Sequence, residues 1–289
     1  NSFSINNAKN ILNNIKSNNY ISKIEELKAE KKRILEKNNI SESYLKPHYE
    51  CKLCKDTGYY LDNYRTIMCN CLKQRILNIS YNKSNMSNLK KENFLTFNEN
   101  KFSDEVDVAK YRLNISPRKN IINIKQKCLY FVENFDDPNT KNLLFTGNTG
   151  LGKTFMSNAI ANELLQKGKS VLYQTAPVLL ETIINNKMSK NKTPSQDLFY
   201  KSVLEADLLI IDDLGTESLN SMKLSELFTI LNTRLLNLNS KVTKTIISTN
   251  LSIDNIFRTY EERIGSRIAG YYDIYYFFGE DLRFKRTIK

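Results

Sequence analysis

The sequence predicts an α/β fold: a parallel sheet flanked by helices, preceded by a small helical and metal-binding region. Three observations predict it. From about residue 106 onward, short apolar runs at 143–146, 171–174, 208–211, 245–248 and 275–278 alternate with helical stretches, as expected of strands buried on both faces. The first run leads directly into "GNTGLGKT" at 147–154. Four of the five cysteines fall within the 21 residues from 51 to 71. Texture divides the chain into an N-terminal helical and cysteine-bearing domain over 1–80, a polar linker over 81–105 and the α/β domain over 106–289.

Composition sets the outer bounds. Hydrophobic residues make up 40% and charged residues 26% of the chain, values of a soluble globular protein. No run of about 18 apolar residues suggests a membrane span. The polar, Asn-rich start lacks the apolar core of a signal peptide, which points to the cytoplasm. The first residue is not Met, so the natural chain is expected to begin upstream. The net charge of +12 is uneven: residues 1–128 hold 24 Lys and Arg against 13 Asp and Glu. A basic front end suits an acidic partner, nucleic acid or protein, and abundant Lys, Asn and Ile is also what an AT-rich genome encodes.

The first 45 residues read as helices. Ala8, Ile11, Leu12 and Ile15 share one helical face, and Ile24, Leu27, Ile34 and Leu35 form a second, with Glu25, Glu26, Lys31 and Lys32 between them. Helices this short and polar need packing against each other or a partner. Next come Cys51 and Cys54, then Cys69 and Cys71. In a cytosolic chain such a cluster is read as a metal site before a disulfide set. A C-x2-C hook followed fifteen residues later by C-x-C can surround one tetrahedral Zn²⁺ in a closed, structural site. His48, the only histidine, could replace one thiolate, because the C-x-C pair is tighter than the usual spacing. A module this small cannot bury a core, and zinc would supply the missing folding free energy. Cys128, in "IKQKCLYFV", reads as a buried apolar position. Phe94, Phe97 and Phe102 stand as isolated aromatics in the polar linker and could pin it to the next domain.

The loop Gly147, Asn148, Thr149, Gly150, Leu151, Gly152, Lys153, Thr154 meets every requirement of G-x4-G-K-T, with a strand before it and a helix after it. Its glycines let backbone N–H groups turn inward, the helix N-terminus faces the phosphates, Lys153 reaches the β- and γ-phosphates, and Thr154 can ligate Mg²⁺. "LLIIDDLG" at 208–215 is an apolar strand ending in two acids. Asp212 would orient Mg²⁺ through its water shell, and Asp213 would position or deprotonate the attacking water. Because Asp213 is one methylene shorter than Glu, slow, regulated hydrolysis is expected. "TIISTN" places Asn250 at another strand end, where it can meet the γ-phosphate or the lytic water. Arg263 and Arg267 lie one helical turn apart in "YEERIGSRIAG", and Arg283 follows the last strand. An arginine can stabilise transition-state charge either across subunits or within one.

The order of "GNTGLGKT", "LLIIDDLG", "TIISTN", "ERIGSR" and "GEDLR" resembles the AAA+ ATPases of the bacterial helicase-loader family, DnaC and DnaI, over residues 90–289. The cysteine cluster resembles the zinc-bearing front end of DnaI-like members. The "IIDDLG" phrase is shared with the transposition ATPase IstB. The resemblance implies sensor 1 at Asn250, the arginine finger at Arg267 (with Arg263 the second candidate) and sensor 2 at Arg283. It also implies that no helical lid domain follows Arg283. In initiator-type AAA+ proteins the region matching 185–202 contacts DNA; here Lys187, Lys190, Lys192 and Lys201 surround Phe199 and Tyr200, a composition suited to single-stranded DNA and equally to a solvated loop followed by a helix with core aromatics.

The expected function is ATP-dependent loading of a hexameric, DnaB-type replicative helicase onto single-stranded DNA, with ATP or ADP, Mg²⁺ and Zn²⁺ bound and with self-assembly through the AAA+ domains. The N-terminal helices and zinc module would grip the helicase. An IstB-like transposition ATPase and a weakly hydrolysing switch or adaptor are the alternatives.

Overall fold

A computed structural model of the chain describes residues 18–78, 91–191, 193–237 and 241–283. The helical face drawn from Ala8, Ile11, Leu12 and Ile15 lies outside them, as does Lys192. The chain divides into two compact units, 1–57 and 58–289.

In the first unit, α1 (Asn18–Lys37) carries the second predicted helical face. Leu35 is buried, while Ile24, Leu27 and Ile34 are exposed. The helix ends where Asn39 adopts φ +56° and the Ile40 N–H donates to the Leu35 carbonyl at 2.9 Å, a left-handed C-terminal cap. A 3-10 turn, Glu42–Leu45, follows.

The second unit begins with a hairpin, β1 (Tyr59–Asp62) and β2 (Arg65–Met68), and the short helix α2 (Asn70–Leu77). Then come α3 (Val108–Tyr111), α4 (Pro117–Glu133), β3 (Asn142–Gly147), α5 (Lys153–Gln166), β4 (Val171–Thr175), α6 (Ala176–Met188), α7 (Pro194–Glu205), β5 (Leu208–Leu214), α8 (Ser221–Leu236), β6 (Lys244–Thr249), α9 (Ile253–Tyr271) and β7 (Tyr272–Phe277). The five later strands form one parallel sheet in the order β4-β5-β6-β3-β7. All five apolar runs singled out in the sequence lie in these strands or, for Phe278, one residue beyond.

Successive side chains of a strand point to opposite faces, and here each face has its own core. Leu144, Leu172, Leu209, Ile211 and Ile247 pack with residues of α6, α7, α8 and α9. Leu143, Phe145, Tyr173, Ile210 and Ile246 pack with residues of α4 and α5. The second core also takes in Phe94 and Phe102, both buried. The segment that composition marks as linker is therefore, from residue 91 on, part of the packed unit. Its polarity belongs to the residues between the aromatics.

Gln74 ties the hairpin side to the sheet edge. Gln74 of α2 is buried; its Oε1 accepts from the Val171 N–H at 2.7 Å and its Nε2 donates to the Val171 carbonyl at 3.0 Å. β4 is an edge strand, so Gln74 satisfies backbone groups that an open edge would leave for another chain. Leu77, one turn on, joins the core on the α6–α9 face.

Candidate nucleotide site

β3 delivers the chain to Gly147, whose φ is +133°. A Cβ there would stand 2.0 Å from the Phe277 carbonyl oxygen, so the tight exit between β3 and β7 admits only glycine. Gly152, at φ +91°, caps α5, and Leu151 anchors the loop in the core. The loop wraps the N-terminus of a fourteen-residue helix, the arrangement that favours phosphate.

Lys153 is buried and its amine is folded back on the loop. It donates to the carbonyls of Gly147 at 2.6 Å and Asn148 at 2.7 Å and to Asn250 Oδ1 at 2.8 Å. Burial lowers its pKa, with Arg283 adding to the effect and Asp213 and Asp212 opposing it. These partners occupy the three donors of an ammonium, and an incoming phosphate would have to exchange for them.

Thr154 Oγ1 donates to Asp212 Oδ2 at 3.1 Å. Asp212 is buried and held on both oxygens: the Tyr173 hydroxyl donates to Oδ2, the Ser248 hydroxyl to Oδ1, and the Asp213 N–H to Oδ1 at 3.1 Å. Hydroxyl donors of this kind compensate a buried carboxylate. Tyr173 and Ser248 stand inside two of the apolar runs, and nothing in the sequence marks either as a site residue. They lie on the strands flanking β5, and only the sheet register brings them to Asp212.

Asp213 points elsewhere. The pairing of β5 with β6 shifts between Ile211 and Leu214, and Asp213 takes φ +55°. That left-handed conformation costs a non-glycine residue about 1–2 kcal/mol, and a bulge of this kind re-aims a side chain. Asp213 is thereby turned outward onto a cavity of about 690 Å³. Desolvation and the Asp212 charge push its pKa up, and Lys153 opposes them.

The same cavity is lined by the loop from Thr149 to Thr154, by Asn250 and by Arg283. Arg283 forms a two-nitrogen pair with Asp281, Nη2 to Oδ2 at 2.7 Å and Nε to Oδ1 at 3.0 Å. Asp281 lies so close to the loop that a Cβ on Gly150 would stand 1.9 Å from it. The far wall comes from the former linker: Glu92, Phe97 and Phe102 line the cavity. Phe97 stands 5.3 Å from Phe155, ring centre to ring centre, and Glu92 Oε2 accepts from Asn158 Nδ2 at 2.6 Å. Isolated aromatics in a polar stretch were the one sequence signal for this wall.

Arg263 and Arg267 do not line the cavity. Arg267 Nε donates to Asn232 Oδ1 at 3.2 Å, and Arg263 pairs with Glu261 at 2.9 Å. The stretch expected to touch DNA is only partly available. Phe199 is buried in the core, and Lys187 is engaged by Glu226 at 2.5 Å and lies over the Tyr200 ring. Tertiary packing has taken the aromatic ring that composition offered for stacking.

In the contiguous segment 51–71, one sulfur each from Cys51, Cys54, Cys69 and Cys71 lies within 4.8 Å of the others. Zn–S bonds of about 2.3 Å imply sulfurs roughly 3.8 Å apart in a tetrahedron, so this donor set fits zinc. His48 is not in the cluster. The tight C-x-C pair lies at a helix start: Cys69 is the N-cap of α2 and Cys71 lies in its first turn. Asp56 accepts from the Cys51 N–H at 2.8 Å and orders the first hook. Cys128 is buried, and burial pushes its thiol pKa well above the ordinary value.

A phosphate-type loop on a five-stranded parallel sheet, with a strand-end aspartate pair opposite it, defines a P-loop nucleotide-binding protein. The model of the family described as IstB-like ATP binding protein matches residues 81–264, and the chain belongs to that family. Among curated proteins, the replicative helicase loader DnaC of Escherichia coli (strain K12) is 33% identical over 97 residues, 34% of this chain and 38% of that protein. The chromosomal replication initiator protein DnaA of Campylobacter jejuni subsp. jejuni is 34% identical over 123 residues, 43% of this chain and 26% of that protein. The matches thus span well under half of either relative. The crystal structure of the DnaC helicase loader aligns with a TM-score of 0.51 at 22% identity, covering 66% of this chain and 99% of that one, and so shares the fold. Among the described residues no helix is long and apolar enough to cross a membrane.

Proposed function

We propose that the protein is an ATP-hydrolysing loader of the replicative helicase, acting in the cytoplasm on single-stranded DNA. The observation that carries this reading is the convergence of Lys153, Thr154, Asp213 and Asn250 at one cavity, with Asp212 bonded to Thr154 behind it, in a chain 33% identical over 97 residues to a helicase loader. Lys153 would release the loop carbonyls and bind the β- and γ-phosphates. Thr154 and Asp212 would hold Mg²⁺, which would supply neutralisation of phosphate charge. Asp213 would take the proton of the attacking water, which Asn250 orients. Arg283, aimed by Asp281, would meet the nucleotide in its own subunit. Arg267, remote from its own cavity, would reach the nucleotide of a neighbouring copy. Zinc on Cys51, Cys54, Cys69 and Cys71 would be structural, with no open position for substrate.

Two measurements test this reading. ATP hydrolysis should rise with single-stranded DNA and fall in Arg267→Ala. The cognate replicative helicase should co-purify with the intact chain. Hydrolysis indifferent to both DNA and Arg267, with no helicase retained, would remove the loader reading. A second reading, an IstB-like transposition ATPase, is favoured by the family match over residues 81–264. Stimulation by duplex rather than single-stranded DNA would select it.

A further inference from the structure

We infer that Phe228 is a positioning residue that presets the arginines of α9 for the nucleotide of a second copy of this chain. The inference rests on the between-copies role proposed for Arg267. Phe228, on α8, is half-buried, with its ring packed on the core of the α6–α9 face. The guanidinium carbons of Arg263 and Arg267 lie 5.0 and 5.6 Å from the centre of that one ring. Both distances fall within the reach of a cation–π contact.

Two cations on one ring repel each other, so each needs a further restraint. The structure supplies a different one for each. Arg263 Nε donates to Glu261 Oε2 at 2.9 Å, an acid that compensates its charge. Arg267 has no acidic partner among the described residues; its Nε donates to Asn232 Oδ1 at 3.2 Å, one turn along α8 from Phe228. The two outer nitrogens of Arg267 donate to nothing among the described residues. A guanidinium gripped by its face and its Nε, with the outer pair of nitrogens free, is presented outward for an oxyanion.

The backbone supports this aim. Glu261 sits at φ +66°, ψ 157°, and breaks α9 into two pieces just before the arginines. Such a conformation costs about 1–3 kcal/mol and persists only where its surroundings hold it. The preceding residue, Tyr260, is buried, and its hydroxyl donates to Glu217, whose other oxygen accepts from the Gly215 N–H at 3.0 Å. The arginine-bearing half of α9 is therefore set as a separate piece, and Phe228 is the surface it leans on.

The test uses mixed assemblies. Lys153→Ala copies keep their arginines but lose the loop lysine, whereas Arg267→Ala copies keep the loop but lose the arginine. Mixed on single-stranded DNA, the two should hydrolyse ATP at a rate that neither reaches alone. Placing Phe228→Leu in the Lys153→Ala donor should lower the kcat of the mixture about tenfold with KM for ATP unchanged. Phe228→Tyr in the same donor should restore it, because Tyr keeps the ring face while Leu keeps only apolar volume. Asn232→Ala in the donor should lower kcat in the same way without touching the core. Equal activity from the Phe228→Leu and Phe228 donors would overturn the inference, as would a Tyr donor as poor as the Leu donor. If the Phe228-intact donor fails to complement at all, the between-copies role of Arg267 has failed first and the inference falls with it.

Discussion

Thr154 and Asp212 meet across 3.1 Å, hydroxyl to carboxylate, and so join the phosphate loop to the end of β5. Asp212 is also gripped by Tyr173 and Ser248, so its oxygens cannot swing away. Asp212→Asn should weaken Mg²⁺-dependent ATP binding at least about tenfold, since one anionic oxygen is replaced by an amide. Titrating Mg²⁺ against a fluorescent ATP analogue reads this, with metal-free binding as the internal standard. Undiminished Mg²⁺ enhancement in the variant would remove Asp212 from the metal site.

Asp213 makes a pH prediction. Its carboxyl is raised above the ordinary value by desolvation and by Asp212. A base works as the carboxylate, so hydrolysis should be lost as pH falls through this raised value. The acid limb should therefore lie above the ordinary aspartate value of about 4. Asp213→Asn should lower kcat about 10²-fold and erase that limb. A pH–rate profile whose acid limb survives the substitution would assign it to another group.

Gln74 covers the edge of β4 by bonding both backbone groups of Val171. Gln74→Ala removes both bonds to the Val171 backbone and should cost about 1–3 kcal/mol. Denaturant unfolding measures the loss. Light scattering near the midpoint should also rise, because an uncovered edge pairs with other chains. An unchanged midpoint would mean that water replaces Gln74 without cost.

The cysteine cluster predicts one zinc per chain. Chelation should expose four thiols to an aromatic disulfide reagent in the folded protein, while buried Cys128 stays unreactive. Cys54→Ser should lose the metal and open the segment 51–71 to protease. Freshly purified, reduced protein holding well under half an equivalent of zinc would count against the site.

Much of the fold is legible because its signals are contiguous. Each apolar run needs only its own side chains to mark a strand buried on both faces, and G-x4-G-K-T needs only its own backbone to wrap an anion. Asp212, Asp213 and Asn250 stand at strand ends, and a parallel sheet brings the ends of its strands to one side. The same local logic finds the four cysteines. It leaves open residues whose role depends on what lies across from them. Phe199 suits a stacked base or a core until α7 packs it inward, and Phe94 and Phe102 are aromatics that could pin a polar stretch until both rings are found in the core.

By itself, then, the sequence determined a parallel α/β sheet, a phosphate loop, a strand-end acid pair and a four-thiol hook. Only the tertiary structure decided that Tyr173 and Ser248 hold Asp212, that a bulge turns Asp213 to the cavity, that residues 91–102 wall it, and that Arg263 and Arg267 share the ring of Phe228. Motifs are carried by neighbours along the chain, whose spacing the covalent backbone sets. These partners are separated by tens of residues, and only strand register and helix packing choose which of many similar side chains meet.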